Sequence, residues 1–209
     1  QSPDVVAPVR YFRAGGATTV ALVNQADSPL AQAAEWTLPL HAGTEHSVAA
    51  TKSFINSLVA SARVVGHWQG DAQLLDSLAR LPQALAAAAR ADWSPAIEAL
   101  APARNAMVVG RGIGFPIALE AALKLKETSS LQAEAFSGAE IRHGPMALVD
   151  DGYPLLVLAT RGPGQAGLLQ LARDMRQRGA RVLLAAPADV AGRDLTLPTA
   201  HTPDLDPIV

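Results

Sequence analysis

The sequence has 209 residues, of which 49% are hydrophobic and 17% charged, and it contains no cysteine. This length and hydrophobic content predict a globular protein with either one large domain or two small ones. The formal net charge of −2 and the lack of basic runs exclude the electrostatic signature of nucleic-acid or anionic-membrane binding. Without cysteine, these residues hold no disulfide, thiolate metal site or cysteine nucleophile. With no membrane-spanning apolar run and no signal peptide at the start, the sequence predicts a cytoplasmic protein.

Four short apolar runs predict buried β-strands, and longer segments with helical spacing separate them. The predicted strands are Thr18–Val23, Ala106–Val109, Pro154–Ala159 and Arg181–Ala186. The predicted helices are Ser47–His67, Ala72–Ala91, Pro116–Ser130 and Gln165–Arg178. Strands joined by helices of this length need crossover connections, so the pattern predicts an α/β fold of parallel sheets flanked by helices.

Two parts of the chain resemble each other, since each has a Gly-Ala lead-in, an apolar strand, an Asp-containing turn and a short Leu-Pro strand. The copies are Gly16–Val23 with Thr37–Pro39, and Gly179–Ala186 with Thr196–Pro198. This repetition indicates a duplicated unit and predicts two subdomains, residues 1–92 and 93–209. The second copy opens with a strand and glycine loop from about Ala106, and the first has no counterpart, so we expect the first to be incomplete at its N-terminus.

The glycine-rich stretch Gly110-Arg-Gly-Ile-Gly114 lies between a predicted strand and a predicted helix. Free backbone N–H groups at such a junction can hold an anion. A tight strand-to-helix turn explains the glycines equally well. The spacing differs from the dinucleotide-binding fingerprint, so a nucleotide cofactor is not expected here.

A second polar stretch, Leu40–Ser53, leads into a predicted helix with Ser47 as a candidate N-cap. A helix start of this kind can hold a phosphate or sugar hydroxyls. His41 and His46 fit ordinary loop histidines better than a metal site, because no third ligand has recognisable spacing.

The most chemically suggestive residues are Lys124, Glu127 and His143. Lys124 and Glu127 are three positions apart and share one helix face, for which an exposed ion pair is the simplest explanation. His143, in turn, fits the polar end of a helix stopped by Gly144-Pro145. If carboxylates and an imidazole meet in one cleft, however, they can move protons next to a carbonyl group.

Four blocks of this sequence resemble the sugar isomerase (SIS) domain family: Gly43–Phe54, Gly110–Gly112, Ala118–Glu127 and Ala133–Leu148. More narrowly, they are similar to the isomerase half of glucosamine-6-phosphate synthase and to SIS-type glucosamine-6-phosphate deaminase. The resemblance implies two tandem SIS subdomains, a sugar phosphate substrate, no metal or organic cofactor, and a homodimer whose active sites are shared between subunits. The family's C-terminal tail, which carries a Schiff-base lysine in the synthase, is not in this sequence.

The resemblance also implies roles for individual positions. Glu127 matches the general base that moves a proton between C1 and C2 of the sugar, and Lys124 matches a lysine that stabilises negative charge on oxygen. His143 matches a ring-opening histidine that reaches in from the partner subunit. The positions implied in substrate binding are Ser2 at the phosphate, and Val48, Ala50 and Thr51 at the sugar, largely through backbone. A serine is common in the synthase where this chain has Ala50.

Three functions are consistent with these features. We expect a phosphosugar isomerase/deaminase that converts glucosamine-6-phosphate to fructose-6-phosphate and ammonia, because Ser129–Ser137 looks closer to the stand-alone branch and no cysteine nucleophile of a glutaminase is present. The first alternative is the isomerase part of glutamine-fructose-6-phosphate aminotransferase. The second is a non-catalytic SIS module that senses a sugar phosphate, and the retention of Lys124, Glu127 and His143 counts against it.

Overall fold

The structure is a computed structural model that describes residues 3–209. It has the predicted α/β class, with parallel sheets flanked by helices. The chain divides into two compact units, one running to Leu78 and the other from Ala79 to Val209. The subdomain boundary between residues 92 and 93 remains a prediction from the sequence. Among residues 3–209, no helix has the length and hydrophobicity that crossing a membrane requires.

The first unit contains a two-stranded parallel sheet and its flanking helices. Its elements are α1 (Pro3–Ala14), β1 (Val20–Val23), α2 (Pro29–Ala33), β2 (Trp36–Pro39), α3 (Lys52–Gln69) and α4 (Ala72–Ala79), which reaches the unit boundary. Strands β1 and β2 pair in parallel with Val20 opposite Trp36. A small core of Ala21, Val23, Ala31 and Ala34 joins the sheet to α2.

The second unit is built on a five-stranded, fully parallel sheet in the order β4-β3-β5-β6-β7. Its strands are β3 (Asn105–Gly110), β4 (Gln132–Ser137), β5 (Pro154–Leu158), β6 (Arg181–Ala186) and β7 (Leu195–Thr196). Its helices are α5 (Leu81–Ala88), α6 (Ser94–Leu100), α7 (Phe115–Ser129) and α8 (Gln165–Gln177). Short 3₁₀ helices cover Gly112–Gly114, Glu140–His143, Pro145–Leu148 and Pro203–Ile208.

Both faces of this second sheet are buried, which explains the continuous apolar character of its central strands. Met107, Val109 and Leu155 face a core shared with α8. The intervening residues Val108 and Leu156 face a core shared with α6 and α7. Helix α7 follows β3 directly, so its position is determined by the carboxyl end of a central strand.

The two copies of the sequence repeat form similar local structures. In the first unit β1 pairs in parallel with β2, and in the second β6 pairs in parallel with β7, where Ala185 lies opposite Leu195. The helices differ from those predicted by more than two residues in two places. Helix α3 begins at Lys52 rather than Ser47, and the single helix predicted over Ala72–Ala91 is divided between α4 and α5.

The turn after β3 requires its first glycine for steric reasons. A Cβ atom at Gly110 would overlap the carbonyl oxygen of Gly114 and lie 3.1 Å from the Cβ of Ala118. We therefore expect Gly110→Ala to destabilise the second unit by about 1–3 kcal/mol, because the backbone of the turn must move. Thermal or urea unfolding measures the change.

A matched control is available in α8, where a Cβ at Gly167 would meet nothing within 4 Å. Gly167→Ala should raise stability by about 0.5 kcal/mol, because alanine favours a helix more than glycine does. Equal effects of the two substitutions would contradict the steric account of Gly110.

Candidate active site

Helix α7 carries three charged side chains that contact one another. Its inner face is made of small residues, with Ala118 and Ala122 buried against the sheet. Small side chains allow the helix to lie close to β3 and β4. The outer positions Glu120, Lys124 and Glu127 repeat at intervals of four and three, so all three side chains project from one face of the helix.

The ammonium group of Lys124 is held between the two carboxylates of this cluster. Its Nζ atom lies 2.9 Å from Oε2 of Glu127 and 3.1 Å from Oε1 of Glu120. The hydrogen bond to Glu127, followed by the interactions with Glu120, raises the pKa of Lys124 above its ordinary value. Lys124 is therefore a fixed positive charge at neutral pH, and the two carboxylates leave the cluster with one net negative charge.

His143 lies in a short turn that is anchored by the two residues before it. It ends the 3₁₀ helix Glu140–His143, in which Ile141 is fully buried in the core beside α8. Nη2 of Arg142 donates to Oδ2 of Asp174 on α8 at 2.8 Å. The imidazole itself is exposed and makes no hydrogen bond or ion pair among residues 3–209.

The carboxylate of Asp174 is held by a second side chain in addition to Arg142. Its Oδ1 atom accepts a hydrogen bond of 2.7 Å from Nε2 of Gln170, one turn earlier on α8. That bond, followed by those with Arg142, lowers the pKa of Asp174 below its ordinary value. The carboxylate thus stays ionised well into the acid range, and the anchor of the His143 turn persists with it.

In the first unit, the predicted sugar-binding residues lie in the loop between β2 and α3. Val48 is 98% exposed and Ala50 is partly exposed. Thr51 is the N-cap of α3, but its hydroxyl donates to the carbonyl of Ala49 at 3.3 Å rather than capping the helix. Ser2, the predicted phosphate ligand, lies outside the described residues.

The prediction that Ser47 caps α3 is wrong, because another side chain performs that function. Oε1 of Glu45 accepts hydrogen bonds from the backbone N–H groups of Thr51 at 3.2 Å and Ser53 at 2.7 Å. Its carboxylate therefore occupies the helix start that the sequence suggested for a phosphate. Residues 46–50 stay outside the helix as an exposed loop.

The glycine-rich stretch Gly110–Gly114 forms a tight turn into α7. Gly112 has a φ of +56°, a left-handed conformation that favours glycine, and Gly110 has no room for a Cβ atom. The glycines are thus explained by local geometry, while an anion-binding role for the turn remains a prediction.

Sequence and structure comparisons identify the family. The SIS domain family model matches residues 1–63 and 99–186, and the unmatched residues between the two ranges include the helices α4 and α5. The chain belongs to the SIS domain family. The match in two ranges agrees with the predicted tandem arrangement of SIS regions.

Three relatives illustrate the range of this SIS chain's similarity. A glutamine–fructose-6-phosphate aminotransferase [isomerizing] from Zymomonas mobilis is 37% identical over 229 residues, which cover 100% of this chain and 37% of the relative. The structure of a candidate phosphosugar isomerase from Silicibacter pomeroyi is 40% identical with a TM-score of 0.92, covering 100% of this chain and 64% of the other. The structure of a glucosamine-6-phosphate deaminase from Thermotoga maritima is 22% identical with a TM-score of 0.70, covering 91% and 57%. The last supports the fold alone.

This SIS chain thus spans little more than a third of the curated aminotransferase it matches. Within it, the structure brings Lys124 and Glu127 together as the helical spacing predicts. It also adds Glu120, which the sequence analysis missed although Glu-Lys at a spacing of four is a known helical pair. Glu45 was missed as well, because the hydrogen bonds of a loop carboxylate have no sequence signature.

Proposed function

We propose that this chain catalyses proton transfer between C1 and C2 of a hexose 6-phosphate, as the isomerase part of a glutamine-fructose-6-phosphate aminotransferase. The observation that carries the proposal is the Glu120–Lys124–Glu127 cluster on one face of α7. The sequence alone favoured a deaminase. The 37% identity to an aminotransferase over the whole chain supports the alternative better.

The cluster has the chemistry that aldose–ketose isomerisation needs. Glu127 would remove a proton from the carbon next to the carbonyl or imine and return it to the neighbouring carbon. As the carbon acid loses its proton, negative charge develops on the adjacent oxygen, and the ammonium of Lys124 would stabilise it. Glu127 thus holds the proton between the two half-steps, where it can exchange with solvent before it is returned to the sugar.

Glu120 has a distinct part in this proposal. While Glu127 carries the proton it is neutral, and its attraction for Lys124 falls. Glu120 then remains as the charged partner of Lys124, at 3.1 Å, and keeps the ammonium on the same helix face. It is a positioning residue that acts through Lys124.

A direct test uses the full-length protein with two substrate mixtures in D₂O and three readouts. Glucosamine-6-phosphate formed from fructose-6-phosphate and glutamine supports the aminotransferase. Ammonia released from glucosamine-6-phosphate supports the deaminase instead. Deuterium incorporated at C1 or C2 of the sugar supports the proton transfer common to both. A protein that binds these sugars but exchanges no proton is a sensor, and that result would overturn the proposal.

The anchor of the His143 turn gives a more local prediction. Arg142→Met removes the contact with Asp174, so the turn that carries His143 is less well held. Since small misplacements of a catalytic group cost up to about 100-fold in rate, we expect kcat to fall by about tenfold while the fold is retained. Steady-state kinetics and circular dichroism measure the two quantities.

The control is a second exposed ion pair on the same helix, Arg176 with Asp194 at 2.6 Å. Arg176→Met should leave kcat within about twofold, because surface pairs away from a site have little effect. A charge exchange, Arg142→Asp with Asp174→Arg, should recover part of the lost rate. If Arg142→Met and Arg176→Met reduce kcat equally, the contact of Arg142 with Asp174 has no specific role.

A further inference from the structure

The loop between β2 and α3 is held at both ends and free in the middle. At its start, the side chain of Asn24 donates to the carbonyl of Gly43 at 2.6 Å and accepts from the N–H of Ala42 at 2.9 Å. Near its end, Nζ of Lys52 donates to the carbonyl of Thr44 at 2.7 Å. The Asn24 contacts fix the start of the loop, and the Lys52–Thr44 contact joins the two ends of the segment 44–52.

Glu45 closes this loop a second time. The single oxygen Oε1 accepts from the N–H groups of both Thr51 and Ser53, which are free because they begin α3. The hydrogen bond with Ser53, the largest contribution, lowers the pKa of Glu45 below its ordinary value. The carboxylate therefore stays ionised, and keeps both contacts, to a lower pH than an ordinary glutamate does.

The free part of the loop contrasts with these ends. Val48 is an apolar side chain with 98% of its surface exposed. Neither Val48 nor Ala50 makes a hydrogen bond among residues 3–209. Backbone N–H and C=O groups that are kept in one place and left unpaired are available to a ligand.

We infer that Glu45 is a positioning residue, which holds the backbone of residues 46–51 in the conformation that receives the hydroxyl groups of a sugar phosphate. The inference rests on the proposed function. A simple helix cap adds only to stability, so the two roles of Glu45 predict different effects of its substitution. A positioning residue changes substrate affinity while leaving the proton-transfer groups of α7 untouched.

The test compares Glu45→Gln and Glu45→Ala with Asp92→Asn and Asp92→Ala. Asp92 is a matched control, since its carboxylate accepts the N–H of Ser94 at the start of α6 and its pKa is likewise lowered by that residue. We expect Glu45→Ala to raise KM for fructose-6-phosphate by about tenfold with kcat changed less than about twofold. Glu45→Gln keeps one acceptor oxygen and should lie between. The Asp92 variants should leave KM unchanged.

A second measurement is independent of turnover. Amide hydrogen exchange of Thr51 and Ser53, whose N–H groups donate to Glu45, should accelerate in Glu45→Ala, and calorimetry should show the same loss of fructose-6-phosphate binding. If wild type turns over its substrate but Glu45→Ala binds it as tightly as wild type does, the positioning role is excluded and the proposed function is unaffected. If wild type neither binds nor converts sugar phosphates, the proposed function itself fails.

Discussion

In Glu127→Gln, turnover is expected to fall by about 1,000-fold, while affinity for the sugar phosphate stays within a few-fold of wild type. General bases contribute about 10²–10⁴ in rate, and an amide cannot accept the proton of a carbon acid. Glutamine keeps the size of the side chain and one oxygen to receive the Nζ of Lys124, 2.9 Å away in wild type. Steady-state kinetics measures turnover, calorimetry measures affinity, and deuterium exchange at C1 and C2 measures proton transfer.

Glu120→Gln is the matched control, because it removes the other carboxylate that contacts Lys124. It leaves the proposed base in place, so we expect a loss of less than about tenfold. Two results would contradict the assignment. One is deuterium exchange that persists in Glu127→Gln, and the other is an equal loss in both variants.

The central sheet of the second unit was predictable from the sequence because its strands are buried on both faces. Strand β6 was predicted at Arg181–Ala186 and lies there, and β5 differs from its prediction by one residue. Strand β4 was not predicted, because it lies at the edge of the sheet and exposes Gln132 and Glu134. A half-exposed edge strand lacks the apolar run that identifies a buried one.

The helix boundaries show where local sequence is insufficient. Ser47 is a residue type that favours the N-cap position, but α3 begins only at Lys52. At that start, the side chain of Glu45 accepts hydrogen bonds from the free N–H groups of Thr51 and Ser53. In the predicted helix over Ala72–Ala91, Pro82 lies in the first turn of α5, where proline is favoured. Hydrophobic periodicity encodes neither the contacts of Glu45 nor the break before Pro82.

The candidate site was only partly predictable for the same reason. Helical spacing placed Lys124 beside Glu127, and the structure has that pair. The contact of Arg142 with Asp174 joins residues 32 positions apart, so only the fold brings them together. The catalytic roles of Glu127, Lys124 and His143 remain predictions from the family resemblance, and substitution of His143 tests one of them separately.

His143→Gln is expected to lower kcat/KM for fructose-6-phosphate by about 100-fold. In solution this sugar is mostly a closed ring, and opening it requires a proton to move from the anomeric hydroxyl to the ring oxygen. The imidazole of His143 is exposed and has no hydrogen-bond partner among residues 3–209, so it is available to carry that proton. With 5-deoxyfructose 6-phosphate, which cannot close the five-membered ring, deuterium exchange at C1 should be the same in variant and wild type. A defect of equal size on the open-chain analogue would assign His143 to a different step.

Mixing the two inactive variants tests whether a partner subunit supplies this histidine. If each site combines Glu127 of one protomer with His143 of the other, a hybrid of Glu127→Gln and His143→Gln has one site with both residues intact. Random pairing in a two-fold dimer makes half of the dimers hybrids, so refolding an equal mixture should restore about a quarter of wild-type activity. Sites built within one protomer would restore none, because every site would lack one residue. Sedimentation of the mixture establishes that dimers form, so an absence of activity in hybrid dimers would exclude a shared site.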